Sequence, residues 1–193
     1  MRIGGIIRIV SATSRVPFIS AALAIVLLAA PEPSLAQEKH DLIGSYRDWD
    51  AFTLANEDGN TICYVISIPK EMTPKNVNHG SIYVTVTHKP RLKIQDEVNI
   101  VVGYRFRPGS TTTVTIGSTQ HRFFTEECKL DEKRVGGCAW MPTPREDRQV
   151  VASMKRGNRM VVRSTSARGT NTRYRFSLMG FTAAYSAMTK ACE

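Results

Sequence analysis

Apolar and polar side chains alternate, with a period of about two residues, through eight stretches of this chain. These are Trp49–Leu54, Thr61–Ile68, Ser81–His88, Val98–Tyr104, Thr112–Ile116, Gln120–Thr125, Arg159–Ser166 and Thr172–Leu178. Such alternation is the mark of strands with one buried face. Thr/Val-rich runs such as Tyr83-Val84-Thr85-Val86-Thr87 suit a pleated, half-buried surface. Turn chemistry separates several of them: Glu57-Asp58-Gly59-Asn60, Arg107-Pro108-Gly109-Ser110 and Ile116-Gly117-Ser118.

The period changes in two places. Thr143-Pro144-Arg145-Glu146 places Thr at an N-cap, Pro at the first helical position and Glu at the third, which is a capping box. Val150, Val151 and Met154 then fall on one face, and Gly157 is placed to end the helix in a left-handed turn. A second helix is predicted over Ala183–Ala191, capped by Thr182 and burying Ala184, Tyr185 and Met188. Many short strands and two short helices predict a mainly β, single-domain antiparallel β-sandwich or barrel, with the helices as plugs or edge packing.

The first 36 residues have a different character. Arg2, Arg8 and Arg15 precede a 12-residue apolar run, Ile19–Ala30, and Ser34-Leu35-Ala36 puts small residues at −3 and −1 of a cleavage point. This is the pattern of a secretory signal peptide cut after Ala36, leaving a domain over residues 37–193. The run falls short of the roughly 20 apolar residues that span a bilayer, and the mature chain offers no other transmembrane segment. The expected location is the periplasm, or secretion with association to the outer membrane.

Export changes the meaning of charge. The 193-residue chain holds 26 Lys+Arg and 17 Asp+Glu, a formal net charge of +9. Residues 37–144 carry 13 basic and 13 acidic side chains; residues 145–193 carry 10 and 3. The basicity of the mature protein thus belongs to its last quarter. Alternation in Arg159-Met-Val-Val-Arg163 and Arg173-Tyr-Arg-Phe176 lets Arg159, Arg163, Arg173 and Arg175 share an outward face, with Lys155, Arg156 and Arg168 at the connecting ends. Guanidinium forks grip phosphate and carboxylate bidentately, so this patch is the candidate anion-binding site. The competing reading is a solvated sheet face whose charge prevents edge aggregation. Nucleic acid is not the expected partner, because the chain is exported and its aromatics form no stacking platform.

Four cysteines in an exported chain predict two disulfides. Cys128 and Cys138 bracket a short charged loop and are expected to pair, leaving Cys63 to tie to Cys192 near the C-terminus. No cysteine or histidine pair has metal-ligand spacing, so neither metal nor cofactor is expected. His40, His79, His88 and His121 stand apart from any nucleophile motif. The acidic pairs, from Glu57-Asp58 to Glu146-Asp147, sit in turns, loops or a helix start, and no catalytic residues are assigned.

One ordered series of blocks is specific. It runs from Trp49 through Thr61-Ile-Cys-Tyr64, Ile68-Pro-Lys70 and Val98-Asn-Ile-Val-Val-Gly-Tyr104, then to Gly109 with its Thr/Val strand and Met154-Lys-Arg-Gly157. It closes with Ser166-Ala-Arg-Gly-Thr170, Tyr174-Arg-Phe-Ser-Leu-Met-Gly-Phe181 and Lys190-Ala-Cys192. In these blocks, over nearly all of residues 45–192, the chain resembles the invasion-associated locus B family of secreted alphaproteobacterial proteins. Relatives often carry a Cys soon after the early Trp, where this chain reads Trp49-Asp-Ala-Phe-Thr-Leu54; it has Cys128 and Cys138 instead. The resemblance implies a small exported β-rich envelope domain, and its namesake is linked to entry of a pathogen into host red cells. It brings no catalytic residues.

The expected function is therefore that of a non-enzymatic cell-envelope protein, a host-cell invasion (virulence) or stress-tolerance factor. It would act by binding an anionic envelope component or host surface. The alternatives are a periplasmic hydrolase without a recognisable motif, or a structural subunit of an envelope complex.

Overall fold

The computed structural model describes residues 39–55 and 61–193. The expected signal peptide and the Glu57–Asn60 turn lie outside them. Among the described residues the chain forms eleven strands and two α-helices: β1 (Lys39–Tyr46), β2 (Trp49–Ala55), β3 (Thr61–Ser67), β4 (Glu71–Thr73), β5 (Tyr83–Lys89), β6 (Ile94–Val102), β7 (Thr111–Ile116), β8 (Thr119–Lys129), β9 (Val135–Trp140), α1 (Pro144–Arg156), β10 (Arg159–Thr165), β11 (Asn171–Ser177) and α2 (Phe181–Ala191). All eleven strands join one sheet in the order β1-β2-β3-β5-β6-β9-β8-β7-β10-β11-β4, with every pair antiparallel. The fold is mainly β and antiparallel, and the sheet does not close into a barrel.

It curls far enough for its two ends to meet through other bonds. Asp48 N–H donates to Met179 O (3.3 Å) and Trp49 Nε1–H to Ser177 O (3.0 Å). The inner face is the core. Val84 and Val86 of β5, Val114 of β7, Phe123 of β8, Met160 and Val162 of β10, and Tyr174 and Phe176 of β11 are all buried in it. Every second residue of these strands contributes, as alternation requires.

Helix α1 packs on β6 and α2 on β1–β3, each adding its apolar stripe to the same cluster. Thr143 caps α1 as expected: its Oγ1 accepts from Glu146 N–H and donates to the Glu146 carboxylate. Gly157 departs from expectation, with an extended conformation (φ −92°, ψ 160°) and not a left-handed one. Glycine is required there because the Ile116 side chain closes on the position where a Cβ would stand. The second helix starts earlier than predicted, at Phe181, with Gly180 and not Thr182 at its N-cap. Phe181 is fully buried against Trp49, with ring centroids 4.8 Å apart, and this contact draws the first turn forward.

Three strands escape the alternation pattern. Strand β9 contains Gly136-Gly137, which reads as a turn; in the fold a Cβ at Gly136 would strike the Val102 carbonyl, and one at Gly137 the Phe106 ring. Strand β1 is an exposed edge with a bulge between Leu42 and Gly44, and β4 is three exposed residues at the opposite edge.

Candidate functional site

Strand register decides which arginines meet. On β10 the even positions Met160, Val162 and Ser164 turn inward, so Arg159 and Arg163 turn outward; on β11 Tyr174 and Phe176 turn inward, and Arg173 and Arg175 outward. Arg163 lies directly opposite Arg173 on one side and Thr113 of β7 on the other, and Thr113 lies opposite Arg122 of β8. Arg173, Arg163, Thr113 and Arg122 therefore form one row across four strands, at the roughly 4.8 Å strand spacing. Like charges placed directly across a ladder repel. Arg163 and Arg173 are exposed, and neither has an acidic partner among the described residues.

A groove of about 800 Å³ runs beside this row. Arg156, Arg159, Arg163 and Arg173 line it together with Thr115, and no acidic side chain does. Arg156 comes from the last turn of α1, where a cation also complements the helix dipole. The Thr115 hydroxyl is buried and has no hydrogen-bond partner. The groove thus offers four guanidinium groups and an unused hydroxyl, a cationic, donor-rich surface suited to phosphate, sulfate or carboxylate oxygens.

The other basic residues of this segment lie elsewhere. The Arg175 guanidinium is ion-paired with Glu71 of β4, the strand hydrogen-bonded to β11. Arg168 sits in the tight turn between β10 and β11, bracketed by the Gly169 N–H to Ser166 O bond (2.8 Å), and does not line the groove. Lys155 projects over the Tyr185 ring, 3.6 Å from its centroid. Arg122 was not legible as part of the patch, because β8 lies some forty residues from β10 in sequence and only the pairing through β7 aligns them. Its one sequence signal is the outward position between inward-facing His121 and Phe123.

Disulfides join Cys63 to Cys192 (Cα–Cα 5.9 Å) and Cys128 to Cys138 (5.7 Å). The first ties the end of α2 to β3; the second staples β8 to β9. No group of His, Cys, Asp and Glu suited to a metal occurs among the described residues.

The histidines serve packing and polar satisfaction. His79 bonds Tyr174 Oη (2.9 Å) and donates from Nε2 to Pro74 O (2.7 Å). His88 Nδ1 accepts from Asp96 N–H, and burial lowers the pKa of this ring. His121 lies 3.1 Å from the Ser153 hydroxyl, and desolvation likewise lowers its pKa. That hydroxyl donates to Gln149 O, and no carboxylate orients the imidazole, so the pair lacks the geometry of an activated nucleophile. Asp147 is the strongly perturbed carboxyl. It is buried at the first turn of α1, where desolvation pushes it up to about 6 although one oxygen accepts from Val98 N–H (3.0 Å).

The sequence model of the invasion associated locus B protein family matches residues 49–189. The chain belongs to this family. A solved structure, invasion associated protein B from Bartonella henselae, shares the fold: the TM-score is 0.52 at 12% identity, covering 77% of this chain and 95% of that one. No curated protein matches the chain. The family match runs from β2 into α2, so the Arg-lined groove, α1 and all but the last two residues of α2 fall within it. No helix among the described residues is long and apolar enough to cross a membrane.

Proposed function

We propose that this member of the invasion associated locus B family is an exported, non-enzymatic envelope protein that docks on an anionic surface through the β10–β11 groove. One observation carries the reading: Arg156, Arg159, Arg163 and Arg173 converge on a single groove that no carboxylate enters. Keeping two arginines opposite each other without counter-charge costs stability, which an external anion would recover. Two disulfides suit an oxidising compartment, and the leader with Arg2, Arg8 and Arg15 before its apolar run and a Ser34-Leu35-Ala36 site suits export there. The family name and that of the Bartonella protein associate this fold with invasion, which favours a role where the envelope meets a host surface.

The anionic groups closest to hand for such a protein are the phosphates of lipopolysaccharide. The mature chain should co-sediment with lipopolysaccharide vesicles at low salt and be released as salt rises, because exposed charge pairs are screened within about 10 Å at 0.1 M salt. The triple substitution Arg159→Glu, Arg163→Glu and Arg173→Glu should abolish the association. Unchanged partitioning of that variant would overturn the proposal.

A further inference from the structure

A second groove, of about 500 Å³, opens where β9 ends and α1 begins. One wall is aromatic. Phe124 stands two residues from Arg122 along β8 and so faces out of the same side of the sheet; Trp140 lies directly opposite it on β9. Phe124 is 43% exposed, and the indole N–H of Trp140 has no hydrogen-bond partner. Folding leaves this aromatic pair unused: it is not part of the core cluster.

The remaining lining mixes apolar side chains with groups of both charges. Glu97, Glu126 and Asp147 supply three carboxyls and Lys93 and Arg148 two cations, and Glu97 is already ion-paired with Lys89 (2.5 Å), which leaves two of each sign. Unlike the Arg-lined groove, this one does not select for net charge. An aromatic floor beside planar hydrogen-bonding groups fits a molecule with one apolar face and a rim of hydroxyls, which describes a pyranose ring. Carboxylates and guanidinium groups bind neighbouring hydroxyls in pairs, while the C–H face of the sugar packs on aromatic rings. The volume falls in the range of small-ligand sites, roughly 300–1,000 Å³.

We infer that this groove binds a neutral sugar ring of an oligosaccharide, packed on Trp140 and Phe124 and hydrogen-bonded by Asp147, Glu126 and Arg148. The inference is independent of anion docking, since no residue is shared between the two grooves.

Tryptophan fluorescence reads it directly. Trp49 is 1% exposed in the core, so a ligand-dependent change in the mature protein reports on Trp140. Titration with the N-acetylglucosamine trimer and with maltotriose should give a saturable change with at least one. Phe124→Ala, an exposed position, should keep the melting curve and weaken binding about tenfold or more. The Arg163→Glu/Arg173→Glu variant should bind the saccharide like the wild type even where it loses the anionic surface. No saturable change with either saccharide, or undiminished binding by Phe124→Ala, would overturn the inference.

Discussion

Asp147 shows how one residue can hold competing demands. It sits in the first turn of α1, where the helix dipole favours a negative charge, and it accepts from Val98 N–H. Burial outweighs both and raises the carboxyl from 3.8 to about 6, helped by the nearby charges of Glu97, Asp96 and Glu146. A raised acid favours the folded state while protonated. Its contribution is therefore present below about pH 4 and is lost as pH rises through about 6. Asp147→Asn keeps an oxygen for Val98 N–H and removes the charge. It should stabilise the protein by about 1–2 kcal/mol at neutral pH and by nothing at about pH 4, as paired urea melts would show. Equal effects at both pH values would mean that burial does not govern this carboxyl.

Among the elements, β4 is the smallest and bears most directly on the candidate site. Its three residues pair with Arg173–Arg175 of β11, and Glu71 occupies the guanidinium of Arg175. The edge strand thus trims the basic face and limits it to the groove and the row through Arg122. Removing the Glu71 charge should return Arg175 to that face. Glu71→Gln is expected to raise the affinity for lipopolysaccharide vesicles by a few-fold, the yield of one surface ion pair, with the gain vanishing at high salt. An affinity lower than wild type would show instead that the pair orders the β4–β11 edge for docking. Strand β9 is the other element whose importance exceeds its sequence signal. Its two glycines let it pass between Val102 and Phe106, and its end places Trp140 beside Phe124.

At the scale of the whole molecule the two disulfides differ in reach. Cys63–Cys192 spans 129 residues and fastens the last helix to the sheet, whereas Cys128–Cys138 spans 10 within one hairpin. Loop-closure entropy then assigns about 5 kcal/mol to the first and about 3 kcal/mol to the second. Cys63→Ala/Cys192→Ala should therefore lower the urea midpoint more than Cys128→Ala/Cys138→Ala. The opposite order would place the weight on local strapping of β8 to β9.

What the amino-acid sequence determined on its own is whatever a local period or a local rule can carry. Alternation located most of the strands, the Thr143-Pro144…Glu146 box placed α1, and the run of arginines after residue 144 marked the basic side of the domain. The tertiary structure decided everything that depends on register between distant strands. It brought Arg122 into line with Arg163 and Arg173 and withdrew Arg175 to Glu71. It also turned Gly136-Gly137 into a strand and set Phe124 beside Trp140. A period of two says that a side chain faces outward, but only long-range hydrogen bonding across the sheet says what stands next to it.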